Sequence, residues 1–249
     1  MKLKQLFAAA AVFACATGAH AQSAGSVILE SGWIHLAPQS SSDPLLINSI
    51  GGFPVNESLQ GTGANVSGAD TLGISATYFV TDHIAPEFVF GIPPKFDLDG
   101  TGSLSGLGQL GTVRQWSPTL LLKYYFGPAQ QKLRPYLGLG VTRVWYTGGT
   151  VTNPNLGVSL ASAVAGGPVP AAFVGPTTVS SVRSSWAPVY NGGLTFQFDK
   201  HWSAGLSVSY IPLKTTAVFN TPVAGANVQS TAHIKLNPIV TYLKVGYNF

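Results

Sequence analysis

Along most of the chain, apolar residues recur at every second position. In the last predicted strand Ile239, Leu243, Val245, Tyr247 and Phe249 share one face with Thr241, and Tyr242, Lys244, Gly246 and Asn248 take the other. In the strand before it Trp202, Ala204, Leu206, Val208 and Tyr210 alternate with Ser203, Gly205, Ser207 and Ser209. A helix would scatter these serines around its circumference; period 2 marks extended strands with two chemically different faces. Six further segments read the same way. Leu194, Phe196 and Phe198 alternate with Thr195, Gln197 and Asp199. A fifth strand over about 134–147 sets Leu137, Leu139 and Val141 against Gly138, Gly140 and Thr142. The fourth sets Leu120, Leu122, Tyr124 and Phe126 against Thr119, Lys123 and Tyr125. The third sets Ile84, Phe88 and Phe90 against Glu87. The second sets Leu72, Ile74, Ala76, Tyr78 and Val80 against Thr71, Gly73, Ser75 and Thr77. The first, near 26–38, is less regular, with Val27, Leu29 and Trp33 opposite Glu30.

The connections alternate as well. Thr81-Asp82, residues 127–132 and Asp199-Lys200 are short and turn-like, whereas about 39–67, 93–112, 148–183 and 215–232 are long and rich in Gly, Ser, Pro and Asn. Short turns on one rim and long segments on the other are expected of an antiparallel barrel that crosses an outer membrane. Reading the long segments as linkers between domains fails, because each lies between strands of one pattern and none could build a core alone.

Composition decides what the apolar face meets. Hydrophobic residues make up 45% of the chain and charged residues 9%, against about 25% charged in ordinary globular proteins. The region after the N-terminal segment has no apolar run of 18 residues, which excludes helical spans. A soluble lipocalin-like barrel would carry polar residues outside; here that face is apolar and nearly uncharged, and the other carries the small residues suited to a narrow lumen. The expectation is an all-β, eight-stranded antiparallel transmembrane β-barrel in the bacterial outer membrane, spanning 22–249 as a single domain. Aromatic girdles at the lipid boundary are assigned to Trp33, Trp116, Trp145, Trp186, Trp202, Tyr78, Tyr124, Tyr125, Phe126 and Phe198.

The first residues read as a signal peptide. Lys2 and Lys4 precede an apolar stretch from Leu6 to Ala16, and Ala19-His20-Ala21 offers a cleavage site, so residues 1–21 are expected to be removed. Cys15, the only cysteine, lies in this stretch, so no disulfide is expected; a lipobox ending at Cys15 is the competing reading and would put bulky Phe13 in an unsuitable place.

Several motifs together resemble the OmpW family of small outer-membrane proteins, which includes AlkL-type alkane-uptake proteins. They are Leu72-Gly73-Ile74 through Tyr78-Phe79-Val80-Thr81-Asp82-His83 with Glu87; Pro118-Thr119-Leu120 with Lys123-Tyr124-Tyr125-Phe126; Arg134-Pro135-Tyr136-Leu137-Gly138-Leu139-Gly140-Val141; and Asn237-Pro238 with Val245-Gly246-Tyr247-Asn248-Phe249. The long 148–183 segment and Pro86 depart from the family pattern. The resemblance implies a narrow hydrophobic channel for small apolar molecules. It also implies that Val245, Tyr247 and Phe249 form the terminal signal read by the barrel-assembly machinery.

An eight-stranded barrel is just wide enough to be filled by its own side chains, so a water-filled pore is not expected. By parity four charges point inward: Glu30, Glu87, Lys123 and Lys244. Glu87 and Lys123 lie on neighbouring strands, as do Glu30 and Lys244 once the barrel closes, which predicts two ion pairs near the periplasmic end, since an unpaired buried charge is costly. Above them Ile34, Leu36, Phe79, Val89, Leu121, Val144, Val189 and Val240 are expected to face an apolar lumen, either as plain filling or as a conduit open to the exterior. With the floor closed, a solute would leave sideways. Pro86, Pro93 and Pro94 in or at the end of strand three and Pro118 in strand four lack ladder donors and mark a candidate lateral opening, the alternative being that they simply end the pairing.

No cofactor, metal or catalytic motif emerges. His35, His83, His201 and His233 are dispersed with no metal-ligand spacing, there is no G-x-S-x-G elbow, and the glycine-rich run over 100–111 has no phosphate-loop lysine. A lipid-modifying enzyme would need a His–Ser or His–Asp constellation on the outer rim, where His35 and His233 are expected to approach one another with Ser31 too low to help. A third class is an adhesive or receptor barrel that works through its long segments. Expected partners are outer-membrane lipid and lipopolysaccharide, the assembly machinery and small hydrophobic solutes. Nucleic acid is not among them, because removing Lys2 and Lys4 lowers the formal charge from +4 to +2.

Overall fold

The computed structural model describes residues 22–249; the signal-peptide and Cys15 assignments lie outside the described residues. From the periplasmic side β1 (Val27–Ala37) rises, followed by four short strands: β2 (Ser41–Ser42), β3 (Leu45–Ile50), β4 (Phe53–Leu59) and β5 (Thr62–Val66). β6 (Ala69–Tyr78) descends and β7 (Ile84–Gly91) returns. The hairpin of β8 (Lys95–Gly102) and β9 (Gln109–Trp116) precedes β10 (Thr119–Tyr125) and the long β11 (Leu133–Val151). After helix α1 (Asn155–Ala165) come β12 (Thr178–Val182), β13 (Ser185–Gln197) and β14 (Trp202–Tyr210). A last hairpin, β15 (Lys214–Val223) and β16 (Ala226–Lys235), leads to β17 (Ile239–Asn248).

Eight of these strands close a barrel in the order β10-β7-β6-β1-β17-β14-β13-β11, and β11 pairs back onto β10. Every pairing is antiparallel. The period-2 pattern maps onto this wall. Leu72, Ile74, Leu120, Leu122, Leu137, Leu139, Leu206, Leu243 and Val245 stand exposed on the outside, while Ser75, Thr77, Lys123, Thr195, Ser203, Ser207 and Lys244 are buried in the lumen. Strand walls this close need small residues: a β-carbon on Gly32 would sit 2.0 Å from the Leu243 carbonyl oxygen.

The long segments are folded, which their loop-like composition had concealed. β15 and β16 continue the wall outward in a second sheet with β12, β3 and β4, and β8 and β9 extend β11 and carry β5. Their inward residues, among them Leu45, Ile47, Phe96, Leu104, Leu156, Leu160, Val228 and Ile234, join the same apolar cluster as Ile34, Leu121 and Val189 of the barrel. Neither half of that cluster would be dry alone, which is why segments unable to form a core by themselves are nonetheless structured. Tyr125, assigned above to a girdle, is instead buried inside; its partner in β11 is Tyr136 and both follow the inward parity of Lys123. Among the described residues no helix is long and apolar enough to cross a membrane.

Candidate functional site

Three layers close the periplasmic half of the lumen. At the bottom, fully buried Arg134 donates from Nη1 to the Gln22 carbonyl (3.0 Å) and Gln22 Oε1 (3.3 Å). Its Nη2 donates to the carbonyls of Asp82 (2.6 Å) and Gly127 (3.1 Å), and Nε to that of Phe126 (3.4 Å). A guanidinium is suited to this: its five N–H groups lie in one plane and can gather carbonyls from several turns at once. Gln22 Nε2 in turn donates to Gln197 Oε1, so residues 22, 82, 126, 127 and 197 are drawn around one cation. Sequence reasoning missed Arg134, although its parity with Gly138 and Gly140 places it inside.

Above Arg134 lie Phe79, Tyr125 and Tyr136 with Ile28 and Ala85. The Phe79–Tyr125 and Tyr125–Tyr136 ring centroids are each 4.9 Å apart, and the guanidinium carbon sits 5.2 Å from the Tyr125 ring. Phe79 therefore belongs beneath the inward charges and not above them: β6 descends, so residues after Thr77 continue toward the periplasm.

The third layer is ionic. Lys123 Nζ lies 2.5 Å from Glu87 Oε2 and Lys244 Nζ 2.5 Å from Glu30 Oε2. Lys244 also reaches Glu87 Oε1 at 2.6 Å, which joins the two pairs into one neutral network of four buried residues. Ser75 Oγ donates to Glu30 at 3.0 Å and Thr77 Oγ1 to Glu87 at 3.3 Å, while Lys123 lies 4.2 Å from the centre of the Tyr136 ring. Gly246 makes the room: a β-carbon there would be 2.8 Å from Glu30 Cγ.

Above the network the chemistry changes. Ile34, Leu36, Val89, Leu121, Val144, Val189 and Val240 line a cavity with about 880 Å³ of space continuous with solvent, its floor set by Glu87, Asn191 and Tyr242. Beyond it the extended strands enclose a second space of about 1190 Å³, lined by Leu45, Phe96, Leu98, Leu110, Leu156 and Ile234 among others. Leu36, Gln115 and Pro238 line both, so the vestibule and the cavity meet there.

The four candidate prolines are not together. Pro86 lies within β7 opposite Leu122, next to Glu87 at the level of the ionic layer. Pro118 is in no strand, as the wall breaks at Ser117-Pro118 between β9 and β10, and its carbonyl accepts from Arg143 N and Thr142 Oγ1. Pro93 and Pro94 fall in the matching break between β7 and β8. Phe90, Gly91, Ile92, Pro94, Ser117 and Thr119 line the cavity at this place, and Ile92 is also 60% exposed. Across the break the backbone is held by Ile92 N donating to the Leu72 carbonyl (3.0 Å) and Gln115 N to that of Pro94 (3.1 Å).

His35 and His233 do not meet. His35 Nδ1 is 2.8 Å from Asp70 Oδ1, whereas His233 is on β16, its Nδ1 3.2 Å from Thr216 Oγ1. They were expected to approach at the outer ends of the first and last strands, but His233 belongs to the hairpin that ends at Lys235, and β17 starts only at Ile239. Val245, Tyr247 and Phe249 are exposed on the lipid-facing side.

The OmpW family model matches residues 23–163 and 171–249. Outer membrane protein W of Vibrio cholerae is 28% identical over 99% of this chain and 100% of its own length. Outer membrane protein AlkL of Ectopseudomonas oleovorans is 28% identical over 72% of this chain and 66% of its own. The crystal structure of the outer membrane protein OprG from Pseudomonas aeruginosa superposes with a TM-score of 0.75 at 25% identity, covering 92% of this chain and 97% of that one. With an eight-stranded barrel whose outer wall is apolar, these matches make the chain an outer-membrane protein that belongs to the OmpW family.

Proposed function

We propose that the barrel is a passive conduit for small hydrophobic molecules, which enter through the vestibule and leave sideways into the membrane at the Ile92–Pro94 and Ser117–Pro118 break. The observation that carries this reading is the continuity of the apolar vestibule with a cavity whose lining includes Ile92, a residue also exposed on the outer wall. The three layers below block the direct route to the periplasm, so the solute's route turns through the wall at a level where the β7–β10 ladder has ended and the β8–β9 ladder has not begun. A similar break lies at 211–213 and 236–238, between the β14–β17 and β15–β16 ladders, but exposed Ile92 stands at the first. Apolar lining favours solutes without charge, because a buried charge with no partner costs several kcal/mol. The conduit reading needs no catalysis; the His–Asp pair that a lipid-modifying enzyme would need is present as His35 and Asp70 at 2.8 Å, and among the described residues no serine hydroxyl is hydrogen-bonded to its ring. The assembly machinery reads Val245, Tyr247 and Phe249 as the chain enters the membrane.

The test is accumulation of labelled octane or naphthalene in cells with and without the protein, at equal barrel abundance. Faster uptake is expected, falling several-fold in the P93V/P94V variant, whose restored N–H groups allow the ladder to close. Equal uptake with and without the barrel would end the conduit reading. Unchanged uptake in P93V/P94V would remove the lateral exit alone.

The receptor reading draws on Phe53 and Phe173, 78% and 58% exposed in the extracellular segments. Deleting 148–183 cannot separate the two, because α1 supplies Leu156 and Leu160 to the vestibule. Substituting Phe53 and Phe173 by Ser leaves the vestibule lining intact and would abolish binding of a phage or host surface only if the receptor reading holds.

A further inference from the structure

We infer that the outer wall above β11 and β13 is a docking site for the phosphorylated headgroup of lipid A, the anionic glycolipid of the surrounding leaflet. Four exposed cations meet there on adjoining segments. Arg143 pairs in register with Trp186, and its guanidinium carbon lies 5.2 Å from that indole ring. Arg183 follows inward-facing Val182 and is bonded through its N–H to the Thr216 carbonyl at 2.9 Å. Lys214, one residue before inward-facing Thr215, has its carbonyl 3.5 Å from Ser185 Oγ. Lys235 stands directly opposite Lys214 in the β15–β16 ladder.

Like charges directly opposite one another destabilise a ladder, and this wall tolerates such a pair with little acid near it. Among the described residues only Lys235 has a carboxylate partner, Asp43 at 3.5 Å; Arg143, Arg183 and Lys214 have none. The other side of the extension is built differently. Lys95 and Arg114 also oppose one another, but exposed Asp97 lies two residues from Lys95 on the same strand face. Lys95 and Arg114 have no ion-pair partner either among the described residues. The two sides therefore differ in the number of exposed cations gathered, four against two, and in the acid beside them.

Height selects the ligand. Trp186 is exposed on the lipid side, and tryptophan favours the boundary between headgroups and hydrocarbon. Arg143 shares that level with Trp186, and Arg183, Lys214 and Lys235 stand just above it, where headgroup phosphates lie. Arginine can grip a phosphate through two parallel N–H bonds and lysine adds point charge. Strands spaced about 4.8 Å apart spread the four cations over a width that fits a headgroup with two phosphates better than a single small anion. The arc runs from β11 to β16 and its Arg143 borders the wall break, its N–H donating to the Pro118 carbonyl at 3.2 Å, so a docked glycolipid would stand beside the lateral exit.

The experiment titrates the purified full barrel, in nonionic micelles, with diphosphorylated lipid A and with the same lipid A after removal of both phosphates. Wild type is expected to bind the phosphorylated form, with R183Q/K214Q/K235Q weaker by about a hundredfold, from roughly 1 kcal/mol per cation near an anionic headgroup and 1.4 kcal/mol per tenfold. The charge-conserving R183K/K214R/K235R should bind as wild type, and so should K95Q/R114Q. Equal binding of dephosphorylated lipid A by wild type, a measurement that needs no variant, would overturn the proposal. So would unchanged binding by the glutamine triple, or a loss in K95Q/R114Q as large as in the triple.

Discussion

The two halves of the lumen share eight strands and almost nothing else. Below Tyr242 the inward positions carry Arg134, three aromatic rings tilted against one another and four charges joined in ion pairs. Above it they carry aliphatic side chains around open space, and the wall continues outward as a second sheet. A narrow barrel can thus be sealed or left hollow by side-chain choice alone. Filling takes large residues that converge on one level; hollowing takes short aliphatic ones and glycines at the same pitch. The sealed half relies on hydrogen-bonded charge and the hollow half on apolar area, so substitutions should damage them in different ways.

The largest effect is expected at Glu87. E87L removes the carboxylate that both lysines share, leaving Lys123 buried without its partner, at a cost of about 3–5 kcal/mol. Urea unfolding in micelles, followed by the heat-modifiable gel shift, measures it. E87L/K123L keeps the network neutral, because Lys244 still has Glu30, and should recover most of the loss. If E87L alone cost less than roughly 1 kcal/mol, well below the range for a broken buried pair, the floor would not be an obligate charge network and the contrast between the halves would fail.

R134L comes next. It deprives the carbonyls of Gln22, Asp82, Gly127 and Phe126 of one shared donor, and hydrogen bonds to a charged group are each worth about 1.5–3 kcal/mol. Because those carbonyls lie near the periplasmic rim and regain water in part, the expected cost is about 2–3 kcal/mol. Ion conductance in planar bilayers should stay low in R134L, since the aromatic and ionic layers seal independently, and should rise only when R134L is combined with E87L/K123L and Y125A. A rise in R134L alone would show that the floor has one seal and not three.

In the hollow half stability should change little and transport more. L156S/L160S makes the vestibule polar through α1, which is not a barrel stave. Uptake of octane should fall roughly tenfold, the factor for about 1.4 kcal/mol of lost apolar contact, while barrel abundance and urea midpoint hold. Loss of the folded barrel instead would mean that the extension is part of the stability core, as its shared apolar cluster allows.

The barrel itself was legible in the sequence because period 2 survives wherever one face meets lipid, and the ion pairs followed from parity once neighbouring strands were ordered. What parity does not give is height. Phe79 was placed too high because a residue number rises as β6 descends, and Pro86 was grouped with Pro93 and Pro94 although strand length separates them. The folded extension was hidden for a different reason. Its strands lie among Gly- and Pro-rich connections and are buried on one face by residues from other segments, so no single window shows a core. Arg134 was passed over because it lies only one residue into its strand, where charges usually mark a solvated end.

The smallest predicted effect belongs to the periplasmic turn between β13 and β14, and it tests whether the sealed half extends to its rim. Asp199 accepts from the backbone N–H groups of His201 and Trp202, each at 2.8 Å through Oδ1. These two bonds hold its carboxyl below the ordinary carboxylate range. A folded-state value below the unfolded one means that the turn's extra stability is fully present above the ordinary carboxylate pKa. It fades as pH falls through the lowered folded value. Since the group is fully exposed, the effect should appear as local fraying and not as unfolding of the barrel. Amide exchange of His201 and Trp202 should be slow at neutral pH, with protection dropping at acid pH in wild type. D199A should show the low protection at every pH, with the global urea midpoint unmoved. If acid or D199A instead lowered the global midpoint, the rim and the Arg134 layer above it would be one cooperative unit, and the sealed half would reach from the turns to the ionic network.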